Sequence, residues 1–397
     1  MEPDSETSNF AVVVVVDQWG AALTNTYGNT CFETDQLNLL ATQSLLFENV
    51  ITPEAGLFEA YRSFTTSQWF ARLQSAGIKC SLLTDDLALA DHPIADAFDD
   101  VFTAPVQPAT RSAETLEETE LAQFFAQAND WLAKVDTRES GICWIHSRGL
   151  GAAWDAPYSI RQSFADEDDP APPTFFETPE CVFDEEPDPD QLLSFQQACV
   201  AQVAVLDNCL GALLQQLDEP KFASSILSFL SLRGFPLGEH RKIGGALSNG
   251  DCYAESVHVP MMLRIPPRTQ TESVALVRSQ SLVQPGQVLS AMEAFLVGDQ
   301  ERLSQILDQF AFSLPDQSRE VAISHAGERT MIQTHAWKLI YEPTSDKVEL
   351  YVKPDDRWEV NEVAKRCPQV VSQLKSILLE QEDGGPIVLA PELYNWE

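Results

Sequence analysis

The sequence predicts an α/β fold, in which helices flank a largely parallel central sheet and a small antiparallel sheet follows. The first observation is that short apolar runs alternate with helical patterns over residues 10–146. The second is a change of texture after about residue 316, where short alternating segments are joined by turns. The third is the composition, because 397 residues that are 44% hydrophobic can bury a sizeable core.

The predicted elements follow in chain order. The five valines within residues 10–16 indicate a buried strand, and further strands are predicted over 47–51, 79–84, 141–146, 225–231 and 259–265. Helices are predicted over 34–46, with Thr34 as N-cap, and over 64–76, 114–133 and 192–217. The last of these has apolar residues three or four apart, and its expected core contacts are Leu192, Phe195, Cys199, Val203, Leu206, Leu210 and Leu213.

Two regions have a different character. Residues 165–191 are acidic and rich in proline, which predicts a surface loop. The four strands of the small antiparallel sheet are expected at 321–324, 330–333, 337–341 and 348–352, before a terminal helix over 367–382. We therefore expect one domain over residues 1–315 and a C-terminal subdomain over 316–397.

The charge of the chain restricts its partners. Sixty Asp and Glu residues oppose 25 Lys and Arg, which gives a formal net charge of −35. Such a surface repels polyanions, so nucleic acid and anionic membranes are excluded as expected partners. A small anion bound in a local cationic pocket, or a protein, remains as the expected partner. The first ten residues lack the pattern of a signal peptide and the valine run is too short to span a bilayer, so a cytoplasmic location is predicted.

Eight cysteines are scattered along the chain, several of them within apolar runs. None forms a CxxC pair and no histidine stands at zinc-finger spacing, so a structural metal site is not expected. Buried free thiols are favoured over disulfides, although the even number leaves both possibilities open.

Five segments in order carry a recognisable family pattern. They are NFAVVVVVDQWG at 9–20, the Thr34 to Pro53 segment, LGEH at 237–240, YAESVHVP at 253–260, and WKLI with ELY at 337–340 and 349–351. Together they resemble the sulfatase family of the alkaline-phosphatase superfamily over almost the whole chain. The resemblance implies an α/β domain with a mixed central sheet and a smaller C-terminal domain built on a short antiparallel sheet.

The resemblance also implies a divalent cation held by two early aspartates and a late Asp-Asn or Asp-His pair. Here Asp17 and Gln18 stand at the early positions, and Leu232 and Arg233 stand at the late ones. Calcium needs several oxygen ligands, many of them anionic, and an arginine repels it. We therefore expect no metal and an ion pair between Arg233 and Asp17. Calcium belongs only to the alternative in which the metal site is altered but active.

The nucleophile of the family, a Cys or Ser converted to formylglycine, has no counterpart at the matching segment. Aligning the segment on Pro53 puts Ala55 at that position, and aligning it on Arg62 puts Phe58 there. Neither side chain can attack sulfur. The losses are concentrated at the catalytic positions, whereas the matches lie at positions of packing and turns.

Several polar residues are candidates for a remnant pocket. His146 ends a predicted strand where the family has a pocket histidine, and His240 lies in LGEH. The full set of candidates is Asp17, Gln18, Arg62, His146, Arg233 and His240. A further hypothesis places Arg62, Arg148 and Arg233 around a single anion.

Three functions are weighed. The first is a catalytically degenerate, sulfatase-like protein that acts as a binding or regulatory module. The second is an active sulfuric-ester or phosphoric-ester hydrolase that uses Asp17, His146 and His240 around a different ion. The third is an interaction protein whose likeness is ancestral, with Phe58 and Arg233 filling the pocket. No cofactor is expected under the first or the third.

Overall fold

The five consecutive valines lie in a strand at the interior of an eight-stranded sheet. A computed structural model describes residues 9–245, 251–267, 276–312, 321–382 and 393. The strands of these residues are β1 Phe10–Val16, β2 Leu45–Val50, β3 Lys79–Thr84, β4 Asp100–Thr103, β5 Gly141–Ser147, β6 Cys181–Val182, β7 Ser225–Leu230, β8 Lys242–Ile243, β9 Met261–Arg264, β10 Arg278–Val283, β11 Ala322–Ala326, β12 Arg329–Gln333, β13 Trp337–Glu342 and β14 Lys347–Val352.

The helices of the same residues lie mainly between these strands. They are α1 Asp35–Thr42, α2 Leu57–Phe64, α3 Ser67–Ser75, α4 Leu87–Ala90, α5 Glu120–Lys134, α6 Tyr158–Gln162, α7 Pro189–Leu217, α8 Ala254–Val257, α9 Val288–Leu296, α10 Gln300–Phe312 and α11 Pro368–Glu382.

The central sheet has the order β10-β2-β9-β7-β1-β5-β3-β4. All neighbours pair in parallel except β9, which is antiparallel to both β2 and β7. The sheet is therefore mixed and mostly parallel, as the sequence predicted. The short strands β6 and β8 form a separate antiparallel pair.

Burial on both faces explains the unbroken valine run. Val12, Val14 and Val16 of β1 point into the core beneath α5 and α7, whereas Val13 and Val15 point into the core beneath α9. Successive side chains of a strand face opposite sides of the sheet, so a strand covered on both sides must be apolar at every position.

The C-terminal subdomain is the predicted antiparallel sheet with its terminal helix. Strands β11 to β14 pair in sequence order, and α11 packs on β12 and β13. Leu339, Leu350 and Leu374 belong to its own hydrophobic core. A contact with the main domain runs through His325, which exchanges backbone hydrogen bonds with Pro53 and Ala55. The expected boundary at 315/316 lies outside the described residues.

Several predicted boundaries were wrong. The helix predicted over 34–46 ends at Thr42, because Leu45 and Leu46 pair with β9 and join β2. The helix predicted over 64–76 begins only at Ser67, as α3, since the Thr66 side chain accepts a hydrogen bond from the Trp69 N–H and caps it. Phe64 instead ends α2, which the sequence did not predict.

The helix expected from residue 114 begins only at Glu120, where the Thr119 hydroxyl caps it by accepting the Ala122 N–H. The surface loop predicted over 165–191 contains β6, and α7 already begins at Pro189. Thr34 is the N-cap residue of α1, as predicted, although its side chain makes no capping hydrogen bond. The sequence did not predict β4, β10, α9 or α10.

Helix α7 is the one described helix that is long and apolar enough to cross a membrane. However, 78% of an apolar 18-residue stretch of this helix is buried inside the protein. The predicted contacts Cys199, Val203 and Leu206 are fully buried in it, and Leu192 is partly buried. All eight cysteines are free, but only five of them are buried, so the favoured prediction of buried thiols holds in part: Cys31 is exposed, and Cys181 and Cys367 are half-buried.

Candidate functional site

The carboxyl ends of three parallel strands bring the main candidate residues together. In the sheet register, Val15 of β1 lies beside His146 of β5 on one side and Leu230 of β7 on the other. The residues that follow β1 and β7 therefore emerge at the same sheet edge as His146. Ligand sites of α/β proteins commonly lie at this edge.

Asp17 and Arg233 form a buried ion pair at this edge. The Arg233 Nη2 lies 2.7 Å from Asp17 Oδ2, and its Nε lies 3.0 Å from Oδ1. The two side chains are only 3% and 14% exposed. Burial opposes the charge of Arg233, but the Asp17 carboxylate outweighs it and the pKa of the guanidinium is raised. The pairing expected from the sequence is therefore present, and it is bidentate.

Gln18 occupies a tight backbone turn beside this pair. Its φ of 59° is in the left-handed region, which is uncommon for a residue with a side chain. Its amide lies between Gly151 and Gly245, where a Cβ at either glycine would collide with it. In the described part of the chain, the buried Gln18 Oε1 has no hydrogen-bond partner.

His146 is held in the core by an aromatic network. Its Nδ1 lies 2.8 Å from the Tyr61 hydroxyl, which also accepts a hydrogen bond from Trp144 Nε1 at 3.2 Å. None of the three side chains is exposed. Burial lowers the pKa of His146, and burial raises the pKa of Tyr61 well above its ordinary value. The imidazole is neutral and the phenol is protonated at neutral pH.

The segment expected to carry a nucleophile forms the approach to α2. Ala55 is buried, and its N–H donates to the His325 carbonyl at 3.0 Å. Phe58 stacks on His92 with the ring centres 4.1 Å apart. Neither alignment thus provides a reactive group. Tyr61, which sequence reasoning missed, is the residue that α2 directs towards His146.

Two carboxylates at the end of β3 were also missed. Asp85 accepts a hydrogen bond from the Arg148 N–H at 2.8 Å, and burial raises the pKa of its carboxyl to about 6. Asp86 caps α4 by accepting the Ala88 N–H. The signal was available, because both residues directly follow a predicted strand and parallel strands end at one edge.

The three arginines of the anion hypothesis take part in different ion pairs, and that hypothesis stays a prediction. Arg62 lies on the exposed side of α2, paired with Glu59 at 2.8 Å and 61% exposed, and is not part of the cluster around Asp17. Arg148 binds Glu120 at 2.8 Å. Each arginine already has its own carboxylate, which satisfies its charge.

His240 belongs to a separate cluster. Its Nδ1 lies 2.6 Å from Glu255 Oε1, and its ring stacks on Tyr253 at 3.5 Å. Burial disfavours the imidazolium, but the Glu255 carboxylate outweighs burial and the pKa of His240 is raised. His240 is therefore committed to Glu255 and makes no direct contact with Asp17.

No family model and no curated protein sequence matches the chain. Solved structures match nearly all of it. The phosphonate monoester hydrolase of Agrobacterium radiobacter has a TM-score of 0.70 and 14% identity, with 97% of this chain and 100% of that chain covered. A 2-O GAG sulfatase has a TM-score of 0.65 and 14% identity over 98% and 96%. The chain has the sulfatase fold.

A third structure, a protein in complex with its substrate D-glucosamine-2-N,6-O-disulfate, has a TM-score of 0.70 and 15% identity, covering 95% of this chain and 98% of that chain. The fold predicted from the five sequence segments is thus confirmed. At these identities the likeness concerns the fold, and the chemistry has to be argued from the site itself.

The residues present do not fit the divalent cation that the sulfatase fold implies. At the two late ligand positions, Leu232 is completely buried in the apolar core and Arg233 places a cation against Asp17. Among the described residues, no three His, Cys, Asp or Glu side chains form a group that could hold a metal ion. A metal ion at Asp17 would lie against the Arg233 guanidinium, which repels it. Its one carboxylate ligand, Asp17, is already paired with that guanidinium.

Proposed function

We propose that this sulfatase-fold protein does not hydrolyse sulfuric esters and acts as a binding or regulatory module. The observation that carries the proposal is the ion pair of Arg233 with Asp17, at 2.7 Å and largely buried. The guanidinium lies where the sulfatase resemblance puts a divalent cation. Because like charges repel strongly in a buried environment, the pair and the cation exclude each other.

The surroundings of the pair support the same proposal. Ala55 and Phe58 cannot act as nucleophiles, and the raised pKa of Tyr61 keeps its phenol protonated. His146 Nδ1 is occupied by Tyr61. A hydrolase of this fold needs a cation, an activated nucleophile and charge stabilisation, and the described residues around Asp17 include no group suited to the first two roles.

The alternative is an active hydrolase with altered machinery. It requires Asp17, His146 and His240 to act on one substrate. His240 is instead bound to Glu255, and Asp17 is bound to Arg233. The alternative is tested by the same assay as the main proposal, so the two are decided together.

The decisive experiment combines metal analysis with turnover. The purified protein is incubated with Ca²⁺, Mg²⁺ or Mn²⁺, its metal content is measured by mass spectrometry, and aryl sulfate, phosphate and phosphonate esters are offered as substrates. We expect no stoichiometric metal and no turnover above the blank. Turnover that disappears in the Asp17→Ala variant would establish the hydrolase instead.

A gain-of-binding variant tests the role of Arg233 directly. Arg233→Asn combined with Gln18→Asp removes the competing cation and adds oxygen ligands beside Asp17. We expect this variant, unlike the wild type, to be stabilised by millimolar Ca²⁺ in thermal unfolding. Arg138→Asn, which removes a charge from an 88% exposed side chain, is the matched control. An equal response of the wild type to Ca²⁺ would contradict the proposal.

We also propose that the protein works in the cytoplasm with a small anion or a protein as its ligand. The eight free cysteines support a reducing environment, because disulfides form in exported proteins. Thiol labelling of the protein from intact cells tests this, with eight reactive thiols expected after denaturation without reductant.

A further inference from the structure

A cavity lies away from the sheet edge that carries Asp17. This cavity of about 530 Å³ opens between the edge strands of the central sheet and the C-terminal subdomain. Its volume is in the range of small-molecule sites. The central sheet and subdomain contribute the polar side chains Glu48, Arg278, Gln280, Gln333, Lys353 and Arg357. We call this space the interdomain cavity.

The charge of the interdomain cavity is opposite to that of the whole chain. Three cationic side chains line it, Arg278, Lys353 and Arg357, against the single carboxylate of Glu48. That carboxylate is already paired with Arg278. His258 and His335 also line the cavity, but burial lowers the pKa of both, to about 4 for His258, so both are neutral at pH 7. Three neighbouring cationic side chains are unexpected on the surface of a chain whose net charge is −35.

Lys353 is only partly neutralised by its partner. Its Nζ lies 2.7 Å from Glu359 Oε1, but the same oxygen lies 2.7 Å from Lys338 Nζ. One carboxylate thus serves two ammonium groups. The Asp356 carboxylate, nearby in sequence, is directed into its own loop, where it accepts the backbone N–H groups of Val360 and Asn361.

Arg357 has no acidic partner at all in the part of the chain that the structure describes. Its Nη2 donates to the Tyr27 carbonyl at 2.9 Å, and its guanidinium lies over the ring of Trp358 at 5.0 Å. Gly28 makes room for it, because a Cβ there would approach Arg357 Nη1 to 3.0 Å, and the φ of +89° at Gly28 also favours glycine. The guanidinium is thus held in position at the cavity without its charge being neutralised.

We propose that the interdomain cavity binds a small organic anion, whose acidic group lies between Arg357 and Lys353. A guanidinium and an ammonium are the usual partners of carboxylate and phosphate groups. The side chain of Gln333 can hydrogen-bond a hydroxyl or carbonyl of the same ligand. The inference deepens the proposed function and rests on it, since a non-catalytic binding module needs a ligand site away from the Asp17 pair.

The test uses calorimetry with three probes on the full chain. Inorganic phosphate and citrate represent the phosphate and carboxylate forms of the ligand, and sorbitol represents a neutral polyol. We expect at least one of the two anions to bind with one-to-one stoichiometry and to bind more weakly as salt is added, and sorbitol not to bind. The stronger anion identifies the acidic group. Binding by neither anion overturns the site.

Variants assign the binding to this cavity. Arg357→Gln should weaken anion binding by about tenfold or more, because a charge-assisted hydrogen bond is lost. Arg138→Gln removes the same charge from an exposed position and should leave the affinity unchanged. Unaltered affinity in Arg357→Gln overturns the proposal.

A second variant covers the case in which Arg357→Gln fails to fold. Gln333→Glu keeps every cation and adds a negative charge to the cavity wall, so it should also weaken binding about tenfold. Aryl sulfate turnover is measured on the same samples. Turnover would overturn the proposed function, and the calorimetry would still show whether the cavity binds an anion. If neither turnover nor anion binding is observed, only the proposal for the cavity is overturned.

Discussion

Lys338 and Glu359 form an ion pair in which neither side chain is exposed to solvent. The Nζ–Oε1 distance is 2.7 Å, and the exposed fraction of both side chains is 0%. Glu359 Oε2 also accepts the N–H of Ala254 in the main domain at 3.0 Å. The carboxylate therefore connects the subdomain to the central domain and contacts Lys353 of the interdomain cavity.

This arrangement predicts a large effect of Glu359→Gln. Removal of the negative charge leaves Lys338 and Lys353 buried without compensation, which costs on the order of 3–5 kcal/mol. The measurement is the free energy of unfolding in urea. Glu114→Gln, at an exposed pair with Arg111, is the control and should change it by less than about 0.5 kcal/mol. Equal effects would show that the buried pair is dispensable.

The Asp17–Arg233 pair gives a second prediction. Arg233→Ala leaves Asp17 as a buried, unpaired carboxylate and should destabilise the fold by about 3–5 kcal/mol. Arg62→Ala, at the exposed pair with Glu59, should cost less than about 1 kcal/mol. Replacing both partners, as in Asp17→Asn with Arg233→Met, should recover most of the loss in the same urea experiment. A double variant as unstable as Arg233→Ala would contradict this explanation.

The third prediction concerns the Tyr61 hydroxyl. Tyr61→Phe deprives His146 and Trp144 of their shared partner, and a buried polar group without a partner costs about 1–3 kcal/mol. Tyr158→Phe is the control, because the Tyr158 hydroxyl makes no hydrogen bond with the described residues. Thermal unfolding of both variants is the measurement, and equal midpoints would argue against the network.

The fourth prediction is a pH dependence that comes from Asp85. Burial raises the pKa of this carboxyl to about 6 in the folded protein, above its value in the unfolded chain. Between these two values the folded state binds the extra proton, so its stabilisation is present at low pH and is lost as the pH rises through about 6. From pH 4 to 7 the wild type should lose about 2.4 kcal/mol relative to Asp85→Asn.

The measurement for Asp85 is the free energy of unfolding at a series of pH values. Asp130→Asn, which removes one exposed carboxyl from α5, controls for the change in net charge. If Asp85→Asn and the wild type follow parallel curves, the Asp85 carboxyl titrates normally in the folded protein.

Much of the fold was predictable because its signals are local. An unbroken apolar run such as that of β1 is typical of a strand buried on both faces. The spacing of Cys199, Val203 and Leu206 is typical of a helix with one buried side. Strand β10 was missed, since its first four residues are polar and its pairing with β2 is a contact between distant segments. Helices α3 and α5 begin at Ser67 and Glu120 because the preceding threonine caps each of them. These caps had more influence than the helix propensity of the residues before them.

The candidate site was predictable in part. The sulfatase resemblance grouped Asp17, His146 and Arg233 as candidates for one pocket, and the structure brings them to one sheet edge because parallel strands end together. The ring network around His146 was not predictable, since Tyr61 and Trp144 are distant in sequence and carry no motif. The same holds for the interdomain cavity, where Tyr27 and Arg357 meet.

The amino-acid sequence alone determined the mixed α/β architecture, the acidic character, and the absence of a Cys or Ser at the nucleophile positions. Tertiary structure alone decided which charges meet: Arg233 with Asp17, His240 with Glu255, and two lysines with one glutamate. The physical reason is the difference in sequence separation between the residues that each interaction joins. Hydrophobic periodicity acts within a segment, whereas an ion pair depends on the distance between groups that only the packed sheet and subdomain bring together.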